Sequence, residues 1–291
     1  MKTAVLTVAY AAPEIETYAA ECLASLERQT DADFSVMIIK DGLSGLDDIL
    51  RERHLNLSVQ SVSGTPAAIR RTAILAAIDL GFDVLVFADI DDYFDDNRVA
   101  VAKQLVAEGE VLVCNELMLF GRGYERPRPM LGPRFADGEM ITAPDLNDAN
   151  CMGMSNTAMR ADAIDTGLLD RTNDVTAFDW LFFTLLLRSG LNARFTTATN
   201  TRYRQHAGNV ANARDLSNVD ILRGVRIKRE HFAALSDDPY FHWRAVAFAA
   251  TAERLNADAA LAQRYCVAVR AAAPPSPLWW EPIKTLEELS L

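Results

Sequence analysis

Cysteine is scarce in this chain, with four in 291 residues. Cys22, Cys114, Cys151 and Cys266 lie far apart and form no C-x-x-C pair, which argues against a structural zinc site and against a disulfide framework. They read as ordinary buried thiols. Histidine is as sparse, also at four. No apolar stretch approaches the roughly 20 residues of a membrane-spanning helix. The run Trp180 to Leu187 is flanked by Asp179 and Arg188 and has the length of a buried helix. The apolar part of MKTAVLTVAY is too short for a signal peptide. Basic charge is in deficit, with 29 Lys+Arg against 40 Asp+Glu and a formal net charge of −11. Such a chain repels phosphate backbones, so nucleic acid is not an expected partner. No internal repeat is visible. These absences lead to the expectation of a cytoplasmic chain, with peripheral contact at the inner face of a membrane and a homodimer both left open.

Half the residues are apolar and 24% are charged, a mixture that can bury a full core. The first part alternates strands and helices. Ala4 to Ala9, Ser35 to Ile39, Leu57 to Val62, Val84 to Ala88 and Glu110 to Cys114 read as strands. Ile15 to Gln29, Pro66 to Leu80 and Asp96 to Glu108 read as helices; Pro66 suits a first turn and Gly81 stops its helix. Short apolar runs separated by helices indicate a parallel sheet covered on both faces, with ligands beyond the C-terminal strand ends. The segment from Gly121 to Pro144, rich in Gly, Pro and Arg, reads as a long loop or irregular hairpin. Phe178 to Ser189 is a strong helix. From Asp215 onward the pattern is helical over Val219 to Ala234, Tyr240 to Arg254 and Ala257 to Ala272, until PPSPLWWEP breaks it.

Two polar features stand at strand ends: Asp41-Gly42 and Asp89-Ile90-Asp91-Asp92. Three carboxylates within four residues repel one another unless they are solvated or neutralised. A hard cation such as Mg²⁺ or Mn²⁺, which prefers oxygen ligands and bridges phosphates, would neutralise them. The alternative is a solvated turn before an acid-capped helix, a role that suits Asp95 and Asp96.

Taken in order, several segments resemble family 2 of the glycosyltransferases, nucleotide-sugar-dependent enzymes of the GT-A fold. FADIDDYF is similar to the family's D-x-D motif, and TVAYAAPE to its first strand and turn. IIKDGLSGLDDI resembles the turn that receives the base, and GTPAAIRRTAILAA the G-x-x-x-A-R-N-x-G helix start. MGMSNTAMRADAIDTGLLD resembles the acceptor-side strand, Phe178-Asp179-Trp180 the Glu-Asp helix opening, and YRQHAGNVA a segment with Tyr-Arg-x-His. The resemblance covers about residues 1 to 212. It implies an α/β GT-A (Rossmann-like) fold: a mostly parallel central sheet flanked by helices, with a C-terminal helical extension. The implied division is 1–212, with a nucleotide half at 1–114 and an acceptor half at 115–212, followed by an extension at 213–291.

The resemblance further implies a nucleotide-diphosphate sugar donor, a glycan or lipid-linked glycan acceptor, and a divalent cation, Mn²⁺ or Mg²⁺. Asp41 would accept the N–H of a uracil or thymine ring, and Tyr10 would pack near that base or stand at the rim. Arg70 would contact the nucleotide, while Arg71 stands where Asn is usual. Asp89 would sit by the ribose or the metal, and Asp91 would be the main metal ligand. His206 would complete the metal shell or touch the diphosphate. Asp179 would be the general base of an inverting transfer; an aspartate in a first helical turn is also favoured by the helix dipole. Phe178 replaces the family's acid, and Asp174 is the nearest other carboxylate. His54, His231 and His242 read as structural. Arg223, Arg226, Lys228 and Arg229 are close enough to form a basic patch. Trp279 and Trp280 would clamp the terminal segment onto the domain, or meet a partner or membrane surface. Two further readings are an inactive nucleotide-binding scaffold and a nucleotidyltransferase; AYAAPEIET lacks the Gly-rich phosphate loop that the latter wants.

Overall fold

A computed structural model describes residues 1–43, 45–172, 175–206, 208–211 and 216–291. The chain opens with β1 (Thr3–Tyr10), α1 (Ile15–Glu27), β2 (Ser35–Asp41), α2 (Leu46–Arg51), β3 (Leu57–Ser61), α3 (Pro66–Asp79) and β4 (Val84–Asp89). It continues through β5 (Tyr93–Phe94), α4 (Arg98–Ala107), β6 (Leu112–Gly121), β7 (Arg128–Pro129), β8 (Met140–Ile141), β9 (Thr157–Arg160), α5 (Thr166–Asp170), α6 (Phe178–Arg188) and β10 (Ala193–Gln205). Three helices follow: α7 (Asn218–Ala234), α8 (Pro239–Ala257) and α9 (Ala259–Ala272). The expected boundary at 212–213, and Asp174, lie outside the described residues.

Local chemistry sets these bounds. Thr65 caps α3 by accepting the Ala68 N–H at 3.2 Å, with Pro66 in the first turn. Ser217 and Asp220 form a reciprocal capping box at the start of α7. Gly81 and Gly190 take positive φ where α3 and α6 end.

The strands order β3-β2-β1-β4-β9-β6-β10-β5 in one sheet, with β7 on β6 and β8 on β10. β1, β2, β3 and β4 are mutually parallel neighbours. β9 runs antiparallel to both β4 and β6, and β6 is parallel to β10. β4, β6 and β10 therefore all point the same way, and their C-terminal ends share one edge. The sheet is more mixed than a uniformly parallel reading suggests, because β5, β7, β8 and β9 pair antiparallel. Apolar residues fill both faces: Leu6, Val8 and Phe87 pack with α3 and α6, while Val5, Ala9 and Val86 pack with α1 and α4. Among the described residues no helix is long and apolar enough to cross a membrane.

Two segments sharpen the sequence reading. The sequence suggests only a short strand before His206, and that strand spans thirteen residues, Ala193–Gln205. Its polar sequence hides it, since alternate residues are buried between β6 and β5. Of the two forms expected for the Gly121–Pro144 segment, the irregular hairpin is the one found: β7 returns antiparallel along β6, and β8 and the start of a 3₁₀ turn over Ala143–Leu146 follow. Its organiser is Glu116, 3% exposed. One carboxylate oxygen accepts the N–H groups of Leu117, Met130 and Leu131 at 2.8–3.1 Å, and the other accepts Gly132 N–H at 2.6 Å. A Cβ on Gly132 would stand 2.7 Å from that second oxygen. Glu116→Ala removes the acceptor of these buried donors, of which Met130 N–H keeps Leu117 O at 3.0 Å, and is expected to cost about 2–4 kcal/mol, read as a lower urea midpoint with unchanged slope.

Candidate functional site

The parallel strands deliver Tyr10, Asp41 and Asp89 to the same sheet edge. Tyr10 and Asp41 are register partners at the ends of β1 and β2, and Val8 pairs with Asp89 at the end of β4. Chain order reverses between β1 and β4, and in open α/β sheets the ligand crevice lies at such a switch point. Tyr10 is 38% exposed at its rim. Asp41 is half-buried before Gly42, whose φ of 65° turns the chain away from the strand.

Arg70 reaches over from α3, and its guanidinium donates to Asp89 Oδ1 at 2.8 Å. Burial, reinforced by Asp91 and Asp179 and opposed by Arg70, pushes Asp89 up to about 6. Burial works against the Arg70 charge, but Asp89, Asp179, Tyr10 and Asp91 outweigh it and hold the guanidinium protonated. Asp91 is 8% exposed, and its Oδ2 lies 2.8 Å from His206 Nε2. His206 follows β10, so the pair joins two strand ends distant in sequence. The His206 Nδ1 accepts the Gly208 N–H at 3.1 Å, which leaves Nε2 to donate to Asp91.

Asp92 has a different environment. It is fully buried and accepts the Arg204 N–H at 2.7 Å and the Ser155 hydroxyl. Burial and the neighbouring Asp91 and Asp89 raise its pKa well above the ordinary range. Asp92 therefore ties β4 to β9 and β10 and does not line the crevice. Beneath it, buried Arg98 donates to Phe87 O at 2.5 Å and to Asn115 Oδ1 at 3.2 Å. Burial holds that guanidinium down to about 10, with Cys22, Asp92 and Asp89 opposing.

Asp179 opens α6, with Asn150 Nδ2 at 3.3 Å from its Oδ2. Burial raises its pKa and Arg70 partly offsets this. The shared coupling places Arg70, Asp89, Asp91 and Asp179 in one electrostatic cluster. Arg71 is not part of it, because it pairs with Asp170. Phe178 is 1% exposed and stacks on Phe182, so the position of the usual acid belongs to the core. Trp279 and Trp280 clamp the terminal segment inward. Trp279 exchanges backbone bonds with Asn150 at 3.0 and 3.2 Å, and Trp280 stacks on Trp180 at 5.2 Å. His231 also stacks on Trp180, with ring centres 3.7 Å apart. Lys228 is no part of a basic patch: it is buried, with Nζ donating to Ile283 O at 2.8 Å.

Three contributors escape sequence reasoning. Asn150 orients Asp179. Ser155 holds Asp92. Arg204 donates from Nε to Asp91 O at 2.8 Å and lies between the rings of Tyr18 and Phe120, 4.3 and 4.7 Å from their centroids. Only Arg204 carried a signal, its position two residues before His206.

Among the described residues no three His, Cys, Asp or Glu side chains gather as a ready metal cage. Mg²⁺ and Mn²⁺ sites built on one or two carboxylates with substrate phosphates need no such cage. Asp91 fits that donor set. His206 fits it only if a cation replaces the proton shared with Asp91 and Gly208 N–H gives up Nδ1.

No family model matches the chain, and no curated protein does. Solved structures do. The crystal structure of S. aureus TarS 1–349 in complex with UDP-GlcNAc superposes with a TM-score of 0.58 at 18% identity, over 85% of this chain and 71% of that one. The same fragment with UDP gives a TM-score of 0.57 at 17% identity, over 85% and 70%. The two proteins share a fold. Full TarS is covered over only 44% of its length, with a TM-score of 0.52. The architecture is the expected GT-A arrangement, an α/β sheet flanked by helices.

Proposed function

We propose that this protein is a glycosyltransferase that moves a sugar from a nucleotide-diphosphate donor to a hydroxyl acceptor, with inversion, in polysaccharide or glycoconjugate synthesis. The observation that carries this is the convergence of Asp89, Asp91, Arg70 and Asp179 on one crevice at the C-terminal strand ends. The fold shared with a protein crystallised with UDP-GlcNAc and with UDP supports a uridine donor.

In this reading Asp41 accepts the base N–H and Tyr10 packs beside the base. Asp89, held by Arg70, meets the ribose. Asp91, steadied by His206 and by Arg204 on its backbone, would hold a Mn²⁺ or Mg²⁺ ion, which would supply charge stabilisation for the leaving diphosphate. Asp179 takes the proton of the acceptor hydroxyl as that oxygen bonds the anomeric carbon. The bond from that carbon to the diphosphate oxygen breaks, and the nucleoside diphosphate leaves with the electron pair.

Thermal shift tests the donor. UDP or UDP-GlcNAc at 100 times Kd is expected to stabilise the protein by about 2.7 kcal/mol, more with Mn²⁺ than without. No shift with any nucleotide diphosphate or nucleotide sugar, in either condition, overturns the reading. A shift without turnover on any acceptor favours an inactive nucleotide-binding scaffold.

A further inference from the structure

Arginines on this chain usually face a carboxylate. Arg28, Arg134, Arg188 and Arg244, from four parts of the chain, each have one within 3.3 Å. Three arginines within one short turn break that pattern. Arg122, Arg126 and Arg128 are exposed, and no carboxylate of the described residues pairs with any of them. Glu125 lies among them without bonding them. Other unpaired arginines, such as Arg226 and Arg254, are spread along helix faces in α7 and α8.

The turn is built to be held. Its far side is β7, paired with Met118 and Leu119 of β6, and the segment just beyond hangs on the buried Glu116 carboxylate. Its near side is fixed by Arg122 N–H donating to Gln205 O at 2.9 Å and Tyr124 N–H donating to Gly121 O at 3.0 Å. Gly121 has φ of 90°, and a Cβ there would stand 2.7 Å from Gln205 O. Only glycine permits so close an approach of β6 to the end of β10.

The turn also stands on the rim of the acidic crevice. Gly121 is the register partner of Gln205, and the next residue, His206, bonds Asp91. A net charge of −11, with Asp89 and Asp91 at the crevice, repels any anion that approaches. A neutral acceptor would need no offsetting charge at that rim. Three unpartnered guanidinium groups supply it, and their fork geometry matches phosphate and carboxylate oxygens in pairs.

We propose that the Arg122–Arg126–Arg128 turn is a docking site for an anionic acceptor, a glycan chain carrying phosphate or carboxylate groups. The proposal rests on the transferase reading of the adjoining crevice. It assigns the turn to the acceptor and not to the donor diphosphate, which Asp91 and its cation would hold.

The test is polymer binding by the full chain and by a triple variant, Arg122→Gln/Arg126→Gln/Arg128→Gln. Phosphomannan and polygalacturonate serve as anionic probes, mannan as the neutral one, and phosphatidylglycerol vesicles as a membrane control. The wild type is expected to bind both charged polymers and not mannan. The triple variant is expected to bind them about tenfold more weakly or worse, with melting temperature and UDP-induced shift unchanged. Equal binding by the two proteins overturns the proposal. So does loss of the UDP shift in the variant, which would give the turn to the donor. Preference for vesicles over both polymers would make it a membrane contact and also overturns it. If UDP fails to stabilise even the wild type, the transferase reading falls, while the polymers still decide whether the arginines form an anion site.

Discussion

Asp179→Asn is expected to lower the turnover of sugar transfer by about 10²–10⁴-fold and to leave the UDP-induced thermal shift intact. Asparagine keeps the shape of the side chain and removes its ability to take a proton. Asp91→Asn is expected to lose turnover and the Mn²⁺-dependent part of the nucleotide shift together, because in the proposed reading its carboxylate would hold the cation that offsets the diphosphate charge. Initial rates at saturating donor with Mn²⁺ separate the two. If both variants turn over as the wild type does, the mechanism is wrong. The pH dependence has a defined sign. As the proposed base Asp179 would act deprotonated, and burial raises its pKa above the ordinary carboxylate value. Activity should therefore fall on acidification at a pH above that ordinary range. Asn150 holds the charged form through its amide, so Asn150→Ala should move this acid limb to still higher pH.

The strand-end acids, the α6 aspartate and the histidine after β10 were legible because each sits at a junction between a patterned element and a polar turn. Periodicity locates such junctions without knowledge of the fold. It cannot say which of three neighbouring aspartates points inward. Asp92 is internal because Ser155 and the Arg204 backbone arrive from the turn before β9 and from β10, more than sixty residues away in sequence. Asn150 was invisible for the same reason: its bonds to Trp279 and Asp179 exist only once the tail and α6 have packed against it. Lys228 shows the limit most clearly. Beside Arg226 and Arg229 it looks like one more surface cation, and only the third layer, formed by α8 and the tail, turns it into a core residue.

That burial has a measurable consequence. Lys228 Nζ has no exposed surface; it donates to Ile283 O and lies 5.4 Å from the Phe248 ring centre. Burial, with Lys284 and Arg244 adding to it and Asp148 and Glu288 opposing, brings it from 10.5 down to about 7. Between those values the unfolded chain binds a proton that the folded chain does not. Stability from this group therefore rises as pH rises from about 7 towards 10.5, and is lowest at and below 7. The full difference corresponds to several kcal/mol, on the order of 5 at 1.4 kcal/mol per unit. Lys228→Met keeps the volume, removes the buried charge and gives up one hydrogen bond worth about 1 kcal/mol. The variant should be more stable than the wild type at pH 6–7 by a few kcal/mol, and the two should converge as pH approaches 10. Urea unfolding of both proteins across this range reads the difference. A constant gap would show that Lys228 titrates alike in the folded and unfolded chains, and that the tail does not bury it. His231, one turn along α7, is kept neutral by its own burial and by Lys228, so removal of the Lys228 charge should also make His231 easier to protonate in acid.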